Sequence, residues 1–480
     1  MARGQRRGVG AEGYRPPFEV LDLSYAEALQ TLHAACKFGI QPMLETVVDM
    51  LAELGDPDLS FRSLQIAGTN GKTSTSRYAA AILRGQGLRV ALYTSPELVS
   101  LTERMEVDGV PVSEGTFARG VAAAAEAGRR VNIRRRASGE RPYDVTQFDI
   151  LTVAACVAFA QADVDVAVLE CGMGGRWDAT SAVKSIEAVA VTGVGLDHTR
   201  ILGDTLEAIA GEKAAIIRCG QSCVLGVGTA TPDSVEDVFL DRCRSQDVTP
   251  VLLRPERLED AAGEMHAGVP RRHASLLQAS YRITSRPRRL GAPLELTVRT
   301  PRRAYTGLTA LKPSYQAANI ACAVTLTEAF LDGELDGDRL LESVRQCPTP
   351  GRFSLLRPNP PVLVDACHNP QSVDAFLAAL QDIAPDPATR PPLLCAVLAD
   401  KDVGGIVSRL ARAFPAVVCT QTSSSRSLGA DELVRRFLAA GATVTGSYGS
   451  VAAALAAMSA GPLVGCGSIT LAGALAALLA

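Results

Sequence analysis

The sequence predicts an α/β protein built from two domains, each with a mostly parallel sheet. Short runs rich in β-branched residues alternate with longer alanine- and leucine-rich stretches at helical spacing, which is typical of parallel strands covered by helices. The chain has 480 residues, more than a single hydrophobic core usually serves. The series of strand-like runs occurs twice, once on each side of a proline-rich segment.

In the first series, four apolar runs are predicted to be buried strands, because each is short and ends in small or polar residues. These runs are SLQIAG, RVALYTS, VDVAVLECG and EAVAVTGVG. Between about residues 270 and 310 the pattern changes to alternating segments such as ASYRITSR and LELTVRT. Alternation of this kind predicts an antiparallel excursion or insertion.

The second series begins at PPVLVDACHNP and continues through PLLCAVLADKD, PAVVCTQTSS, ATVTGS and GPLVGCGSITLAG. It is preceded by CPTPGRF, whose two prolines and one glycine predict a hinge. We therefore expect a larger domain over 1–346 and a smaller one over 351–480, joined near 347–351.

Composition excludes several classes of protein. Lysine and arginine number 48 against 51 acidic residues, so no excess of basic charge favours a nucleic-acid or membrane-surface partner. No 18-residue apolar stretch occurs, and the basic N-terminus MARGQRRGVG lacks the apolar run of a signal peptide. The 12 cysteines are scattered without a C-x-x-C pair, which predicts reduced, buried thiols. We expect a cytoplasmic protein.

A glycine-rich loop follows the first predicted strand, in LQIAGTNGKTSTSRYAA at 64–80. A standard phosphate loop has a glycine five residues before its Gly-Lys pair, whereas Gly68 precedes Gly71 by three. The backbone amides of this turn and the N-terminus of the following helix would face an anion. Lys72 would then reach the terminal phosphates of a nucleotide, and the Thr73 hydroxyl would ligate magnesium. The alternative is an ordinary strand-to-helix turn with a solvated lysine.

Two further strand ends carry groups that suit a metal near phosphates. Glu170 ends one predicted strand, Asp197 and His198 follow another, and a helix bearing Glu212 and Lys213 comes next. Ligands bind at the carboxyl ends of strands in open α/β sheets, and carboxylates and imidazoles are ligands of divalent metals. Taken singly, a glutamate or histidine at such a position is more often a surface or capping residue.

Taken together, these motifs resemble those of the folylpolyglutamate synthase/dihydrofolate synthase family, within the Mur ligase superfamily. The matching motifs, in order, are AGTNGKT, TSPEL, LECGMGGRWDAT, GLDHTRILGDTLEAIAGEKAAII, PGRF, DACHNP, VLADKD and GSITLAG. The likeness runs from about residue 24 to the end and is weakest between about 245 and 310. It implies a Mur-ligase-like fold, with a P-loop-type ATP-binding domain followed by a smaller Rossmann-like domain. It also identifies the shortened glycine loop as the superfamily's form of the phosphate loop.

The resemblance further implies roles for individual residues. Those that would bind ATP are Gly68, Thr69, Asn70, Gly71, Lys72, Thr73, Ser74, Asn319, Arg352 and Asp365. Those to which it assigns catalytic roles are Lys72, Lys213, Arg352 and His368.

The implied metal and acceptor sites are adjacent to that nucleotide site. Thr73 and Glu170 would hold one Mg²⁺, and His198 would help to hold a second, with Lys213 as the lysine that family members often carry as a carbamate. The acceptor site would be bordered by Ser95, Pro96 and Glu97.

The implied reaction is the ATP-dependent addition of L-glutamate to dihydropteroate or a reduced folate through an acyl phosphate. This agrees with elementary chemistry, because joining an amine to a carboxylate in water requires the carboxylate oxygen to become a leaving group. Phosphoryl transfer achieves this, and it depends on positioning and charge neutralisation. Water must be excluded while the mixed anhydride exists, so closure of two domains over the site is expected. We expect the enzyme to be a monomer.

The chain departs from the family pattern at several positions. Its loop has G-K-T-S where folate members usually have G-K-G-S, and Glu97 stands where a histidine usually follows Ser-Pro. Trp177, Ser181 and Cys367 are further differences. These changes bear on the acceptor rather than on ATP binding. Two alternatives therefore stay open: a related ligase that acts on a non-folate carboxylate, and a nucleotide-binding protein without ligase activity.

Overall fold

The computed structural model describes residues 13–35, 43–256, 276–458 and 461–480. Its strands are β1 (Arg62–Ala67), β2 (Val90–Tyr93), β3 (Met105–Val107), β4 (Val110–Pro111), β5 (Val166–Glu170), β6 (Ile186–Gly193), β7 (Ser222–Gly228), β8 (Pro250–Pro255), β9 (Leu277–Ser285), β10 (Leu294–Arg299), β11 (Ala304–Ala310), β12 (Ser354–Pro358), β13 (Pro361–Asp365), β14 (Leu393–Cys395), β15 (Val417–Thr420), β16 (Val444–Tyr448) and β17 (Leu463–Cys466). Its α-helices are α1 (Tyr25–Ala34), α2 (Glu45–Glu53), α3 (Lys72–Gly85), α4 (Glu114–Ala137), α5 (Gln147–Gln161), α6 (Thr199–Leu202), α7 (Leu206–Ala214), α8 (Asp233–Ser245), α9 (Gln316–Leu331), α10 (Gly337–Gln346), α11 (Pro370–Ile383), α12 (Val403–Leu410), α13 (Ala430–Ala439), α14 (Val451–Ala457) and α15 (Ile469–Leu479).

The larger sheet has eleven strands, in the order β11-β10-β9-β8-β7-β6-β1-β5-β2-β3-β4. The strands from β9 to β2 in this order pair in parallel, while β10 and β11 at one edge and β3 and β4 at the other are antiparallel. The excursion predicted between about 270 and 310 is thus found in β9 to β11, and its residues 270–275 lie outside the described residues. The predicted parallel α/β architecture is confirmed.

Both faces of the larger sheet are covered by helices. Helices α3, α9 and α10 pack on one face, where Tyr78 and Ile320 are fully buried. The other face is covered mainly by α1, α2, α4, α5, α7 and α8, with Phe117, Phe159 and Phe239 in the core. The central strands β1 and β5 are buried along almost their whole length, as expected for parallel strands covered on both faces.

The smaller sheet has six strands in the order β12-β13-β17-β14-β15-β16. Its strands pair in parallel except β12, which is antiparallel to β13. Helices α11 to α13 cover one face, and α14 and α15 cover the other. The smaller α/β domain of the predicted fold class is therefore also confirmed.

A single segment, 347–353, connects the last helix of the larger unit to the first strand of the smaller sheet. It coincides with the predicted hinge CPTPGRF, although the division of the chain into 1–346 and 351–480 stays a prediction. A second link is formed by Leu98, in the loop after β2, whose side chain packs against the core of the smaller domain. A Cβ atom added to Gly473 would lie 1.9 Å from the Leu98 carbonyl oxygen, so only glycine fits at this contact.

No helix among the residues with described structure is long and apolar enough to cross a membrane. The eleven cysteines in those residues are all free, and all except Cys219 are buried. Their predicted role as small buried hydrophobes therefore holds for ten of the eleven.

We expect Gly473→Ala to destabilise the packing of Leu98 on α15, although alanine is the better helix former. Overpacking of a well-packed contact costs about 1–3 kcal/mol, and calorimetry should show a lower unfolding midpoint. The matched control is Gly449→Ala, because no atom lies within 4 Å of a Cβ at that exposed position. Equal midpoints for the two variants would contradict the close Leu98 contact.

Candidate active site

The phosphate loop lies between β1 and α3, and two close contacts explain its glycines. A Cβ on Gly68 would lie 1.9 Å from Thr192 Oγ1, and one on Gly71 would lie 2.5 Å from Asn319 Oδ1. Gly71 also has φ 88°, in the left-handed region, where it precedes the first turn of α3. The Thr192 hydroxyl donates to the Asn70 carbonyl oxygen at 2.6 Å, which holds the loop against β6. The loop therefore has a fixed shape, with the N-terminus of α3 at its open side.

The first residues of α3 face a buried carboxylate at the end of β5. Lys72 Nζ donates to the carbonyl oxygens of Gly68 at 3.0 Å and of Thr69 at 3.3 Å, so its ammonium lies over the loop. Thr73 Oγ1 donates to Glu170 Oε1 at 2.8 Å. Burial raises the pKa of Glu170 despite the opposing charge of Lys72. A hydroxyl and a carboxylate thus meet beside the ammonium of Lys72.

Asp197 is the point at which the two domains meet. It follows β6, and its carboxylate accepts from Lys401 Nζ at 2.6 Å and from Asn369 Nδ2 at 3.4 Å. His368 Nε2 is 3.6 Å from the same carboxylate, and His198 Nε2 is 4.0 Å away. Burial alone would raise the pKa of Asp197, but the hydrogen bond from His368 and the charge of Lys401 outweigh it and hold the pKa well below its usual value. Asp197 is therefore a stable anion between four polar groups.

His198 has an unusual backbone and an uncharged ring. Its φ of 53° lies in the left-handed region, immediately before the short helix α6. Burial and the nearby charge of Lys401 lower its pKa to about 4. The imidazole is consequently neutral at neutral pH and has a nitrogen lone pair available for a ligand.

Side-chain amides form a second contact across the domains, at the tip of the phosphate loop. Asn70 Nδ2 donates to Asn369 Oδ1 at 3.3 Å, and Asn369 Nδ2 donates back to Asn70 Oδ1 at 3.1 Å. Asn70 also donates to Gln371 Oε1 at 2.8 Å. Asn369 caps α11, whose first residue is Pro370, so the loop faces the N-terminus of a helix from the smaller domain.

Helix α9 supports the other side of the loop. The amide of Asn319 lies against Gly71 and donates to Gln316 Oε1 at 2.9 Å. Gln316 Nε2 in turn donates to Ser74 Oγ at 3.1 Å, and Ser74 is buried. The Ser74 hydroxyl therefore contacts Gln316 on α9. Asn319, on the same helix, contacts the loop itself at Gly71.

Asp365, at the end of β13, is fixed by residues from both domains. Its Oδ2 accepts from Tyr315 Oη at 2.7 Å and from the backbone N–H of Phe353 at 2.9 Å, and its Oδ1 accepts from the N–H of Cys367 at 2.8 Å. Burial raises its pKa, against the opposing charge of Arg352. The charge of Arg352 also opposes the rise in the pKa of Glu170, so it acts on both carboxyl groups.

Lys213 lies on α7 and is almost fully buried, with 3% of its surface exposed. Burial, together with the nearby ammonium of Lys72, lowers its pKa to about 7. Close packing with Gly175 holds this turn of α7, because a Cβ on Gly175 would lie 2.9 Å from the Glu212 carbonyl oxygen. A substantial fraction of the Lys213 amine is thus uncharged and nucleophilic near neutral pH.

The loop after β2 carries the residues expected to border the acceptor site. The backbone N–H of Ser95 donates to Glu170 Oε2 at 3.3 Å, and the next bond, to Pro96, is cis. Glu97 forms a partly buried ion pair with Arg104, at 2.6 Å. The charge that replaces the usual histidine is therefore paired within the same loop region.

Three residues of the contact around Asp197 were not among the predicted site residues: Asp197 itself, Asn369 and Lys401. Asn369 occurs in the motif DACHNP, in which only Asp365 and His368 were assigned roles. Asp197 was noted as a polar strand end without an assigned role, and Lys401 occurs in the motif VLADKD, which was used only for the resemblance. A lysine directly after a predicted strand end was the available signal for Lys401.

Comparison with known proteins agrees with this geometry. The model of the Mur ligase middle domain matches residues 66–227, and that of the Mur ligase glutamate ligase domain matches residues 351–467. The dihydrofolate synthase/folylpolyglutamate synthase of Mycobacterium tuberculosis is 33% identical over 410 residues, which are 84% of this chain and 78% of that protein. The chain belongs to the folylpolyglutamate synthase/dihydrofolate synthase family of Mur ligases. It is therefore an ATP-dependent ligase.

Other family members extend this comparison. A probable bifunctional folylpolyglutamate synthase/dihydropteroate synthase of Haloferax volcanii is 32% identical over 433 residues. The match covers 90% of this chain and 47% of that longer protein. Crystal structures of the M. tuberculosis folylpolyglutamate synthase complexed with ADP and AMPPCP are similar to this structure, with a TM-score of 0.81 and 28% sequence identity. The superposition covers 95% of this chain and 98% of that one. That relative, which shares this fold, therefore binds adenine nucleotides.

We expect Lys401→Met to destabilise the contact between the domains. The side chains of Lys401 and Asp197 are 7% and 10% exposed, and removing one partner of a buried ion pair costs about 3–5 kcal/mol. The matched control is Lys184→Met, whose pair with Asp56 is 38% and 34% exposed and should contribute about 0.2–1 kcal/mol. Calorimetric midpoints measure both effects, and an equal change in the two variants would show that Lys401 does not join the domains.

Proposed function

We propose that this protein joins L-glutamate to the carboxylate of dihydropteroate, of a reduced folate, or of both, with ATP as the energy source. The observation that carries the proposal is the phosphate loop facing His368, Asn369 and Lys401 across Asp197. A further support is the activity named for the M. tuberculosis relative, dihydrofolate synthase/folylpolyglutamate synthase. We also propose a cytoplasmic monomer, and the free cysteines agree with a reducing compartment.

Magnesium is the proposed metal, and the donor atoms beside the loop fit it. Thr73 Oγ1 and Glu170 Oε1 are 2.8 Å apart at the N-terminus of α3, and Mg²⁺ is usually held by one or two carboxylates together with substrate phosphates. Within the described ranges no three His, Cys, Asp or Glu side chains form a cage that could hold a metal. We propose Thr73 and Glu170 for one ion, and His198 with Lys213 for a second. Bound Mg²⁺ would neutralise phosphate charge.

The chain's own groups have distinct tasks in this proposal. The amides of the loop and the ammonium of Lys72 would bind the β- and γ-phosphates. Asn319 and Asp365 would contact the nucleoside part of ATP, and Arg352 would supply positive charge from the connecting segment. His368 would face the nucleotide from the smaller domain.

The proposed reaction has two steps. An oxygen of the acceptor carboxylate attacks the γ-phosphorus of ATP, so that ADP leaves and an acyl phosphate forms. The amine of L-glutamate then attacks the acyl carbon, which forms the amide bond, expels inorganic phosphate and releases a proton. Contact between the domains around Asp197 would exclude water while the acyl phosphate exists.

A second candidate acceptor is a non-folate carboxylate. The observation that supports it is the Glu97–Arg104 ion pair. Both side chains lie in the region proposed to border the acceptor, together with Ser95 and Pro96. A paired acidic group there presents a different surface from the imidazole that is usual in the family. The same ATP-binding machinery would serve either acceptor.

The experiment that decides between these acceptors combines purified protein, Mg-ATP and L-glutamate with dihydropteroate, tetrahydrofolate or a set of other carboxylates. ADP release and product mass are followed together. We expect a mass gain of one glutamyl residue on at least one pterin. ADP release only with non-pterin carboxylates would overturn the folate assignment while retaining the ligase.

We expect Lys72→Ala to reduce ligation by about 100-fold or more, because a preorganised charged contact to the transferring phosphoryl group is lost. The fold should be unaffected, since the Lys72 ammonium bonds only to carbonyl oxygens of its own loop. Circular dichroism provides the folding control. Wild-type turnover by the folded variant would show that Lys72 does not bind the phosphates.

We expect Lys213 to form a carbamate, because an amine with a pKa near 7 is partly uncharged at neutral pH. The uncharged amine attacks carbon dioxide and a proton is released, so the modification should increase as the pH rises above 7 and decrease below it. Nuclear magnetic resonance after incubation with ¹³C-bicarbonate should show a carbamate carbon at pH 8 but not at pH 6. Its absence at pH 8, or its presence in Lys213→Ala, would refute this role.

A further inference from the structure

A second cleft lies beside the segment that connects the domains. Its volume is about 410 Å³, within the size range of small-molecule sites. Its walls come from α3, the β3–β4 hairpin, the loop before α9 and the connecting segment. None of the residues proposed to bind ATP, magnesium or the acceptor lines it. The cleft is therefore separate from the candidate active site.

Lys312 supplies an unpaired positive charge to this cleft. In the part of the chain that the structure describes, its ammonium forms no ion pair or hydrogen bond, and no carboxylate is among the groups whose charge acts on it. Its side chain is nevertheless partly buried, and burial is the main reason that its pKa is lowered. A partly buried cation without a partner is unfavourable unless a ligand supplies the opposite charge.

Thr349, in the connecting segment, supplies an unsatisfied hydroxyl. It is 2% exposed, and its Oγ1 has no hydrogen-bond partner. Buried hydroxyl groups almost always have partners, so an exception in the wall of a cleft needs an explanation. A ligand oxygen in the cleft would accept this hydrogen bond.

The acidic groups of the cleft are already occupied. Glu106 pairs with Arg77 at 2.7 Å, and their side chains are only 7% and 10% exposed. The carboxylate of Glu103 accepts from the backbone N–H groups of Leu98, at 3.0 Å, and of Ser100, at 3.0 Å. Arg77 Nε is buried without a partner, so a further donor remains. Each of the two carboxylates therefore has partners of its own, whereas Lys312 and the Thr349 hydroxyl do not.

We propose that this hinge-side cleft binds a small phosphate-bearing metabolite, whose phosphate oxygens contact Lys312 and Thr349. Lysine and hydroxyl donors suit a phosphate group, and the remaining volume accommodates the rest of a small molecule. Lys312 belongs to the larger domain, whereas Thr349 belongs to the connecting segment, so the ligand would bridge the two. Occupancy of the cleft would favour the domain arrangement in which both groups face it.

The test uses inorganic phosphate as the probe, with Mg-AMPPCP saturating the active site so that the γ-phosphate position of the phosphate loop is already occupied. Melting temperature is measured against phosphate concentration, with potassium chloride at equal ionic strength as the salt control. The wild-type melting temperature should rise with phosphate. Acetate, a carboxylate that the proposed reaction does not use, is added in a parallel titration and should give no comparable rise if the site recognises phosphate rather than carboxylate.

Lys312→Met gives two readouts that separate a ligand site from a structural role. Without phosphate this variant should melt at the same temperature as wild type or higher, because an unpaired cation has been replaced by an apolar side chain. Its affinity for phosphate should fall about 10- to 100-fold, the effect of losing a hydrogen bond to a charged group. Thr349→Val should weaken the response as well, and Lys184→Met, at an exposed ion pair elsewhere, should leave it unchanged.

Three results would overturn the proposal. A wild-type melting temperature that ignores phosphate would show that the cleft does not bind it. A wild-type response in Lys312→Met would show that phosphate binds elsewhere. A lower melting temperature of Lys312→Met without phosphate would show that Lys312 stabilises the fold itself.

Discussion

The contact of Asp197 with the smaller domain is the interaction on which the active site depends. The carboxylate belongs to the loop after β6, yet its nearest partner, Lys401, follows a strand of the other sheet. His368 and Asn369, which follow β13, contact the same carboxylate. The loops after β13 and β14 of the smaller domain therefore converge on the Asp197 carboxylate. Without this anion, three donors of the smaller domain would converge on the cleft with no acceptor from the larger domain.

The short phosphate loop follows from a second constraint, the lack of space around its glycines. Thr192 and Asn319 approach Gly68 and Gly71 so closely that no side chain fits at either position. The loop is thereby held by β6 on one side and by α9 on the other, while Asn70 extends to the smaller domain. This loop is shorter than the usual phosphate loop. It keeps its shape because residues of β6 and α9 pack closely against it.

The sequence predicted the features that depend on local pattern. The buried strands, the antiparallel excursion and the loop before α3 each have a signature within a few residues, and the strand ends bring Thr73 and Glu170 together as expected. The contact between Asp197 and Lys401 could not be predicted in this way, because it joins residues 204 positions apart in different sheets. The pairing of Glu97 with Arg104 was also inaccessible, since it depends on the path of the loop after β2 rather than on spacing.

The central claim is that ATP activates the acceptor carboxylate as an acyl phosphate between these two domains. It is tested most directly with dihydropteroate labelled with ¹⁸O in its carboxylate, incubated with the enzyme, Mg-ATP and L-glutamate. One ¹⁸O atom should appear in inorganic phosphate for each amide bond formed, because the acceptor oxygen leaves with the phosphoryl group. Amide formation with unlabelled phosphate would contradict the account.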